Sequence, residues 1–327
     1  MIRILLLLAS LALVVVLFVR LDPYELGALL AGLGWAAAAF PVLYAVHHAI
    51  RTVALALALP EPGAVSYWRL LLVRLSGEAV QYLTFTGPLV AEPTKAWLLR
   101  REGLSLVDAA AATLTEYVAY TWTASLISFA GLVALRLLVP LPLPVRIVVS
   151  STAIGVLAVL VLVLVVLGWR RRLISVVVRR ATQSSWLARR VTVPEARVRD
   201  MEDGLFRNLH DDRRRLAAIL GCEVFAHALM VLELYWLLRG FGVDVTWTLL
   251  VIVEGANKVS NFLFFFVPAR AGTDEATLAL VVSTLGVPAV VGLGISLVRR
   301  GRSLLTGAAG LAAAWALTRL VPDASSR

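Results

Sequence analysis

Long apolar runs separated by short polar segments make up most of this chain. A helix needs about 20 apolar residues to cross the hydrocarbon of a bilayer. The hydrophobic pattern predicts six crossing helices, at about 4–19, 26–50, 105–138, 145–169, 216–238 and 288–320. A proline at position 41 is expected to kink the second of them.

Two stretches interrupt this pattern in the same way. Residues 77–95 read GEAVQYLTFTGPLVAEPTK and residues 254–275 read EGANKVSNFLFFFVPARAGTDE, each with carboxylates, a lysine, glycine and proline in apolar surroundings. Hydrocarbon tolerates broken backbone and ionisable groups only where protein or trapped water satisfies them. We therefore predict two re-entrant broken-helix hairpins that line an internal cavity. The expected break residues are Gly87, Pro88, Pro268 and Gly272, and Pro93 is expected to begin the second half of the first hairpin.

The two hairpins have the spacing of a repeat. After each break, a glutamate is followed 24 positions later by another ionisable residue. The pairs are Glu92 with Glu116 and Glu275 with Arg299. Three crossings lie between the hairpins, so they enter from opposite sides, which is the inverted-topology arrangement of many secondary transporters. The predicted fold class is an all-α polytopic membrane protein with about six crossings plus two re-entrant hairpins in an inverted repeat.

The predicted organisation has five segments. They are an N-terminal two-helix segment (1–59), a first repeat (60–169), an arginine-rich loop (170–215), a crossing helix with the second repeat (216–321) and a tail (322–327). The loop holds thirteen arginines against six acidic residues, which places it in the cytoplasm with both chain termini. The same orientation puts Arg51, Arg69 and Arg74 on the cytoplasmic side, and Arg51 is expected to mark the polar end of the second helix. An interfacial helix on anionic headgroups is an equal interpretation of the loop.

Composition agrees with a membrane protein. Hydrophobic residues make up 60% of the chain and charged residues 16%, against about 45–50% and 25% in soluble domains. The net charge is +10, but the basic residues cluster between the apolar segments, as in membrane proteins, so nucleic acid is not an expected partner. The single Cys222 excludes an intrachain disulfide, and the four histidines lack metal-binding spacing. We expect no metal and no cofactor.

The break motifs resemble the flippase-like membrane region of lysylphosphatidylglycerol synthases and its stand-alone relatives. The first motif corresponds here to Gly77-Glu78, Gly87-Pro88, Glu92 and Lys95, and the second to Pro268, Gly272 and Glu275, followed by Leu285-Gly286 and the Arg299 region. The resemblance spans about residues 66–320. It implies a bacterial inner-membrane protein that moves a lipid between leaflets, without the soluble aminoacyl-transferring domain. Phospholipids and polyprenyl or hopanoid lipids remain open as substrates.

The candidate lipid-binding residues are ionisable groups in or after the breaks. They are Glu78, Glu92, Lys95, Glu116, Glu254, Lys258, Arg270, Glu275 and Arg299. Lys95 and Lys258 are the only lysines of the chain. Glu254 stands four residues before Lys258, so the two share a helix face. They form either a structural pair or a site for a phosphate oxygen with Arg270 or Arg299 as co-ligand. Glu92 and Glu275 are either helix caps or groups that couple to a proton or headgroup.

We expect translocation of an anionic or isoprenoid-type lipid between leaflets, and no enzymatic activity. One alternative is a non-transporting scaffold or accessory subunit of a lipid-biosynthesis complex. Another is an intramembrane lipid-modifying enzyme, for which Glu223 and His227 are the only candidate pair; an interhelical hydrogen bond is the preferred interpretation of that pair. Besides the lipid and the bilayer, a second copy of the chain or a lipid-synthesis protein remains open as a partner.

Overall fold

The computed structural model describes residues 23–84, 87–168, 195–210, 212–267 and 270–320. Every regular element in these ranges is a helix, which confirms the all-α expectation. The predicted helix at 4–19, the break residue Pro268, most of the arginine-rich loop and the tail lie outside the described residues.

Eleven α-helices and one 3-10 helix make up the described ranges. The α-helices are α1 (Pro23–Gly32), α2 (Ala39–Ala58), α3 (Tyr67–Leu83), α4 (Pro88–Arg101), α5 (Leu106–Leu138), α6 (Leu143–Gly168), α7 (Glu195–His210), α8 (Arg213–Gly240), α9 (Trp247–Leu263), α10 (Thr273–Thr284) and α11 (Ala289–Leu320). The 3-10 helix Gly34–Ala38 leads into α2.

Four of the described helical segments are long and apolar enough to cross a membrane. They are Gly34–Ala58, Leu106–Leu138, Leu143–Val165 and Arg213–Gly240. Helix α11 has 32 residues, which is ample length, but three arginines in its first half lower its hydropathy. The number of crossings therefore stays a prediction.

Helix α2 differs from the sequence prediction. Instead of one helix over 26–50 kinked at Pro41, α1 ends at Gly32, a 3-10 turn follows, and α2 continues to Ala58. The apolar residues after Arg51 contain no helix breaker before Pro60, so the helix extends two further turns. The expectation that Arg51 marks the polar end of this helix was wrong, because Arg51 is buried inside α2.

The first break lies at Gly87, and Pro93 does not begin the helix after it. Helix α4 begins at Pro88, whose ring presets φ and whose missing N–H falls where no helical hydrogen bond is needed. Gly87 has φ +47°, in the left-handed region. A Cβ on Gly87 would lie 3.3 Å from the carbonyl oxygen of Phe265, so the two breaks approach each other.

The second break follows the prediction more closely. Helix α9 ends at Leu263 and α10 resumes at Thr273, preceded by Gly272 with φ +81°. The Glu275 side chain accepts a hydrogen bond from the Gly272 N–H at 2.8 Å. Glu275 is therefore a helix cap, whereas Glu92 lies beyond the first turn of α4 and is not one.

The two broken helices pack reciprocally. The first half of the first hairpin, α3, packs most extensively on α11, and the first half of the second hairpin, α9, on α5. Glycines permit both close approaches. A Cβ on Gly131 of α5 would lie 2.8 Å from the Cα of Gly255 in α9, and one on Gly310 of α11 would overlap the Leu75 carbonyl group of α3. Helices α2 and α8 pack on each other beside these two pairs.

Candidate functional site

A cavity of about 630 Å³ lies between the packed helices and both breaks. Its walls come mainly from α2, α3, α5, α6, α9 and α11, with further residues from α4, α8 and α10. Six basic side chains and four carboxylates of the described residues line it: Arg51, Lys258, Arg270, Arg299, Arg300 and Arg302, with Glu78, Glu92, Glu254 and Asp274. The wall therefore has an excess of positive charge.

Arg51 is at the centre of what we call the first ion-pair network. Its guanidinium pairs with Glu116 of α5, with Glu223 of α8 at 3.2 Å and with Glu78 of α3 at 3.6 Å. Arg74 of α3 bonds the same oxygen of Glu116 at 3.0 Å. Arg74, Glu116 and Glu223 have no exposed surface, so protein groups compensate their charges.

Lys95 extends this network to the first break. Its ammonium lies 2.7 Å from Glu92 and 3.4 Å from the second oxygen of Glu116. A Cβ on Gly77 would lie 2.5 Å from Cγ of Lys95, so the glycine leaves room for the lysine stem to cross α3. The first ion-pair network is thus Arg51, Arg74, Lys95, Glu78, Glu92, Glu116 and Glu223.

The second ion-pair network surrounds Arg299 of α11. Its Nη2 donates to Glu254 of α9 at 2.8 Å, and its Nε lies 3.5 Å from Glu233 of α8. Lys258 lies 3.2 Å from the other oxygen of Glu254, and Arg302 lies 2.9 Å from Glu233. These five residues form the network, and each has at most 8% of its surface exposed.

The two networks occupy matched positions with their charges exchanged. Arg74 and Glu254 are each the eighth residue of their helices, Glu78 and Lys258 the twelfth, and Glu116 and Arg299 the eleventh. Arg51 and Glu233 are each the eighth residue from the end of α2 and α8. A carboxylate between two arginines in one half thus corresponds to an arginine between two carboxylates in the other.

Two further ion pairs lie at the second break. Arg270, with φ +48°, places its Nε 3.0 Å from Asp274. Glu275 pairs with Arg300 through distances of 2.5 and 2.8 Å. Arg299, which follows Glu275 by 24 residues, belongs to the second ion-pair network, and its neighbour Arg300 is the arginine in contact with Glu275.

All nine predicted site residues belong to these networks and pairs. The predicted pair of Glu254 with Lys258 is present, and Arg299 rather than Arg270 is the third member. The sequence analysis did not place six residues in the site: Arg51, Arg74, Glu223, Glu233, Arg300 and Arg302. Of these, Arg74 was expected only as a charge on the cytoplasmic side of the first hairpin, whereas the structure buries its side chain fully. The only sequence signal for them is a charge within an apolar helix.

Aromatic rings connect the two networks. The Arg51 guanidinium lies 3.7 Å from the centre of the Tyr120 ring, and the Lys258 ammonium lies 5.9 Å from it. His227 stacks on the same ring, and its Nε2 is 3.4 Å from the Tyr120 carbonyl oxygen. Glu223 instead pairs with Arg51. Glu223 and His227 therefore make separate interhelical contacts. Within the described ranges no group of three or more His, Cys, Asp or Glu residues is arranged to hold a metal ion.

The comparisons with known proteins identify the family. The family model described as the lysylphosphatidylglycerol synthase TM region matches residues 2–310. The chain belongs to this family. No curated protein and no solved structure matches it. Membership in the lysylphosphatidylglycerol synthase membrane-region family, with the apolar helices, establishes a helical membrane protein with a lipid-related role.

Proposed function

We propose that the protein moves an anionic lipid between the two leaflets of the membrane, with the headgroup held in the cavity. The observation that carries this proposal is the cavity lining, where six basic side chains and four carboxylates are enclosed partly by helices apolar enough to span a bilayer. Charged groups at such depth are costly, and they normally mark a substrate path. A phosphate is the lipid group that matches an arginine and lysine wall.

The second ion-pair network offers the best place for the phosphate. Nη1 of Arg299 is buried without a hydrogen-bond partner among the described residues. Lys258 and Arg302 line the same wall, and this network has three cations for two carboxylates. A phosphate oxygen at this wall would supply the missing acceptor. Phospholipids and polyprenyl phosphates share this chemistry.

A path for the lipid chains is available beside the cavity. Helix α6 contributes Ser151, Thr152, Val156 and Val159 to the lining and packs chiefly on α5. Its outer face exposes large apolar side chains such as Ile154 and Leu162, which are 67% and 54% exposed. In the proposed mechanism the headgroup enters past α6 while the chains remain in the bilayer.

The proposal includes an inverted repeat as the moving part. Support comes from the reciprocal packing of α3 on α11 and α9 on α5, from the approach of the two breaks, and from the matched network positions. Rocking of one repeat against the other would change which leaflet has access to the cavity. We further propose the bacterial inner membrane as the location, with both termini in the cytoplasm, and transport without catalysis.

Substitution of Lys258 by Met tests the proposal. The variant keeps the length of the side chain and removes the ammonium, and Glu254 retains Arg299 as its partner. In vesicles with a fluorescent phosphatidylglycerol or a fluorescent polyprenyl phosphate, we expect at least a tenfold loss of transbilayer movement. Mass spectrometry of the lipids retained by the purified protein should show the enriched anionic lipid reduced in the variant.

Arg69→Gln is the matched control, because Arg69 is an exposed arginine paired with Glu102 outside the cavity. It should move lipid at the original rate. Full transport by the Lys258→Met variant would contradict the assignment of the cavity. Lipid movement equal to that of empty vesicles in the original protein would instead favour a scaffold role, and chemical turnover of the lipid would favour an enzyme.

A further inference from the structure

The two ion-pair networks carry opposite spare charges. The first has three cations for four carboxylates, and the second has three cations for two carboxylates. The pairs Arg270–Asp274 and Arg300–Glu275 balance themselves. The described residues therefore bring eight basic and eight carboxyl side chains to the cavity and the layer behind it, so the empty site is neutral when all eight carboxyl groups are ionised.

Both networks reach one aromatic ring. The Arg51 guanidinium of the first lies 3.7 Å and the Lys258 ammonium of the second 5.9 Å from the centre of the Tyr120 ring, so the two networks are close enough for their opposite spare charges to interact. An anionic headgroup at Lys258 and Arg299 would pair with the one positive charge of the second network that has no carboxylate partner. The first network would then hold a negative charge without a partner, and an uncompensated buried charge is strongly destabilising. One proton on a carboxylate restores neutrality.

Glu223 is the carboxylate with the least compensation. Glu116 contacts three cations, Glu92 has Lys95 at 2.7 Å, and Glu78 is partly exposed. Glu223 has only the Nε of Arg51, is fully buried, and neither of its oxygens has a hydrogen-bond partner among the described residues. Its carboxyl group also lies against that of Glu116. A proton on Glu223 would remove this repulsion and leave Arg51 to Glu116 and Glu78.

The surroundings of Glu223 favour this carboxyl group over other proton acceptors. Arg51 of α2, Arg74 of α3, Glu116 of α5 and Cys222 of α8 interact with Glu223. The helices packed on α8, and α8 itself, also carry these buried titratable or charged groups: His47, Glu202, His227, Lys258, Arg299 and Arg302. The cations of α9 and α11 pair with Glu254 and Glu233 instead. Among the buried histidines, His48 has Glu78 at 4.0 Å but also Arg51, Arg74 and Arg302 nearby, and these three cations repel a further positive charge.

We propose that Glu223 takes up one proton when an anionic headgroup binds in the cavity, so that lipid and proton cross the membrane together. This inference rests on the proposed function. The loaded site then has the same net charge as the empty one, and the transport step carries no net charge through the bilayer. The proton is the cosubstrate, and Glu223 is its carrier.

Calorimetric titration of the purified full-length protein with a short-chain phosphatidylglycerol tests this coupling. Repeating the titration in buffers of different ionisation enthalpy gives the number of protons taken up. We expect about one proton per bound headgroup, with the Kd rising about tenfold per pH unit in the coupled range. The Glu223→Gln variant should bind the same probe with no proton uptake and a Kd independent of pH.

Glu102→Gln is the control, because it removes a carboxylate of an ion pair outside the cavity and should keep the full proton count. Binding by the original protein without proton uptake would overturn the coupling and leave the proposed function standing. Proton uptake that persists in Glu223→Gln would overturn the assignment to that residue. Absence of binding would overturn the proposed function and the coupling with it. The titration of the original protein decides the coupling even if the variant fails to fold.

Discussion

The first and second ion-pair networks show how one geometry can serve two charge patterns. In the first, Glu116 lies between Arg51 and Arg74; in the second, Arg299 lies between Glu233 and Glu254. Buried charges of either sign must find partners, so the matched positions stay ionisable while the signs differ. The exchange gives the cavity one half with spare negative charge and one half with spare positive charge. A site with two identical halves would lack this polarity.

Removal of Arg51 should have the largest effect on stability of the substitutions in the two networks. Arg51→Gln removes the one cation that pairs with Glu78, Glu116 and Glu223 together. Deleting one partner from a buried network costs about 3–5 kcal/mol, and Arg51 serves three carboxylates. We expect a large fall in the thermal unfolding midpoint of the detergent-solubilised protein, or failure to accumulate in the membrane.

Glu233 is the counterpart of Arg51 in the second network, and Glu233→Gln should lower the unfolding midpoint less. Arg299 keeps Glu254 as a partner, and Arg302 keeps the Met230 sulfur and the Tyr44 ring. The Arg69→Gln control removes a half-exposed arginine that has a single carboxylate partner, Glu102, outside both networks, so it should lower the unfolding midpoint less than Arg51→Gln does. Equal losses for Arg51→Gln and Glu233→Gln would show that the two networks are energetically equivalent, against our expectation.

The two glycine crossings give a second test at the level of packing. Gly131→Leu and Gly310→Leu each insert a side chain where the partner backbone lies within contact distance, so both should separate the paired helices. Overpacking of this kind costs about 1–3 kcal/mol. Thermal unfolding should show similar losses for both variants if the crossings α9 on α5 and α3 on α11 are equivalent.

Gly221→Leu is the matched control for these variants. Gly221 lies on an exposed face of α8 with no neighbouring atom near its Cβ position, so the substitution should be neutral or slightly stabilising. A destabilisation by Gly221→Leu as large as that of Gly131→Leu would show that the effect comes from the bulk of leucine in any helix. A loss confined to one crossing would show that the other is not needed for the fold.

Local chemistry explains what the sequence predicts well. The breaks follow from Gly87, Pro88 and Gly272, because backbone conformation depends on a few adjacent residues. The contact of Glu254 with Lys258 follows from helical spacing alone. Both features are set within a single turn of chain, so periodicity and turn chemistry are sufficient.

The missed residues depend on contacts that are distant in sequence. Arg51 meets Glu116 across 65 positions, and its contact with Glu223 is more distant still. In the sequence, an arginine near the end of an apolar run has the appearance of a cytoplasmic flank. The one local signal was the apolar continuation from Thr52 to Ala58, which extends α2 and carries Arg51 into the interior. Which carboxylates surround it can be learned only from the packing of α2, α3, α5 and α8.

The two break glycines provide the smallest and most localised test. Gly87 and Gly272 both have positive φ, a conformation that costs an L-residue about 1–2 kcal/mol. Gly87→Ala also brings a Cβ to 3.3 Å from the Phe265 carbonyl oxygen, so it should strain the contact between the breaks as well as its own backbone. We expect Gly87→Ala to slow lipid movement in vesicles severalfold and Gly272→Ala to slow it less. Gly32→Ala in α1, with open space around its Cβ position, should have no effect. A greater loss for Gly272→Ala would indicate that the second break, with its Glu275 cap, is the more sensitive of the two.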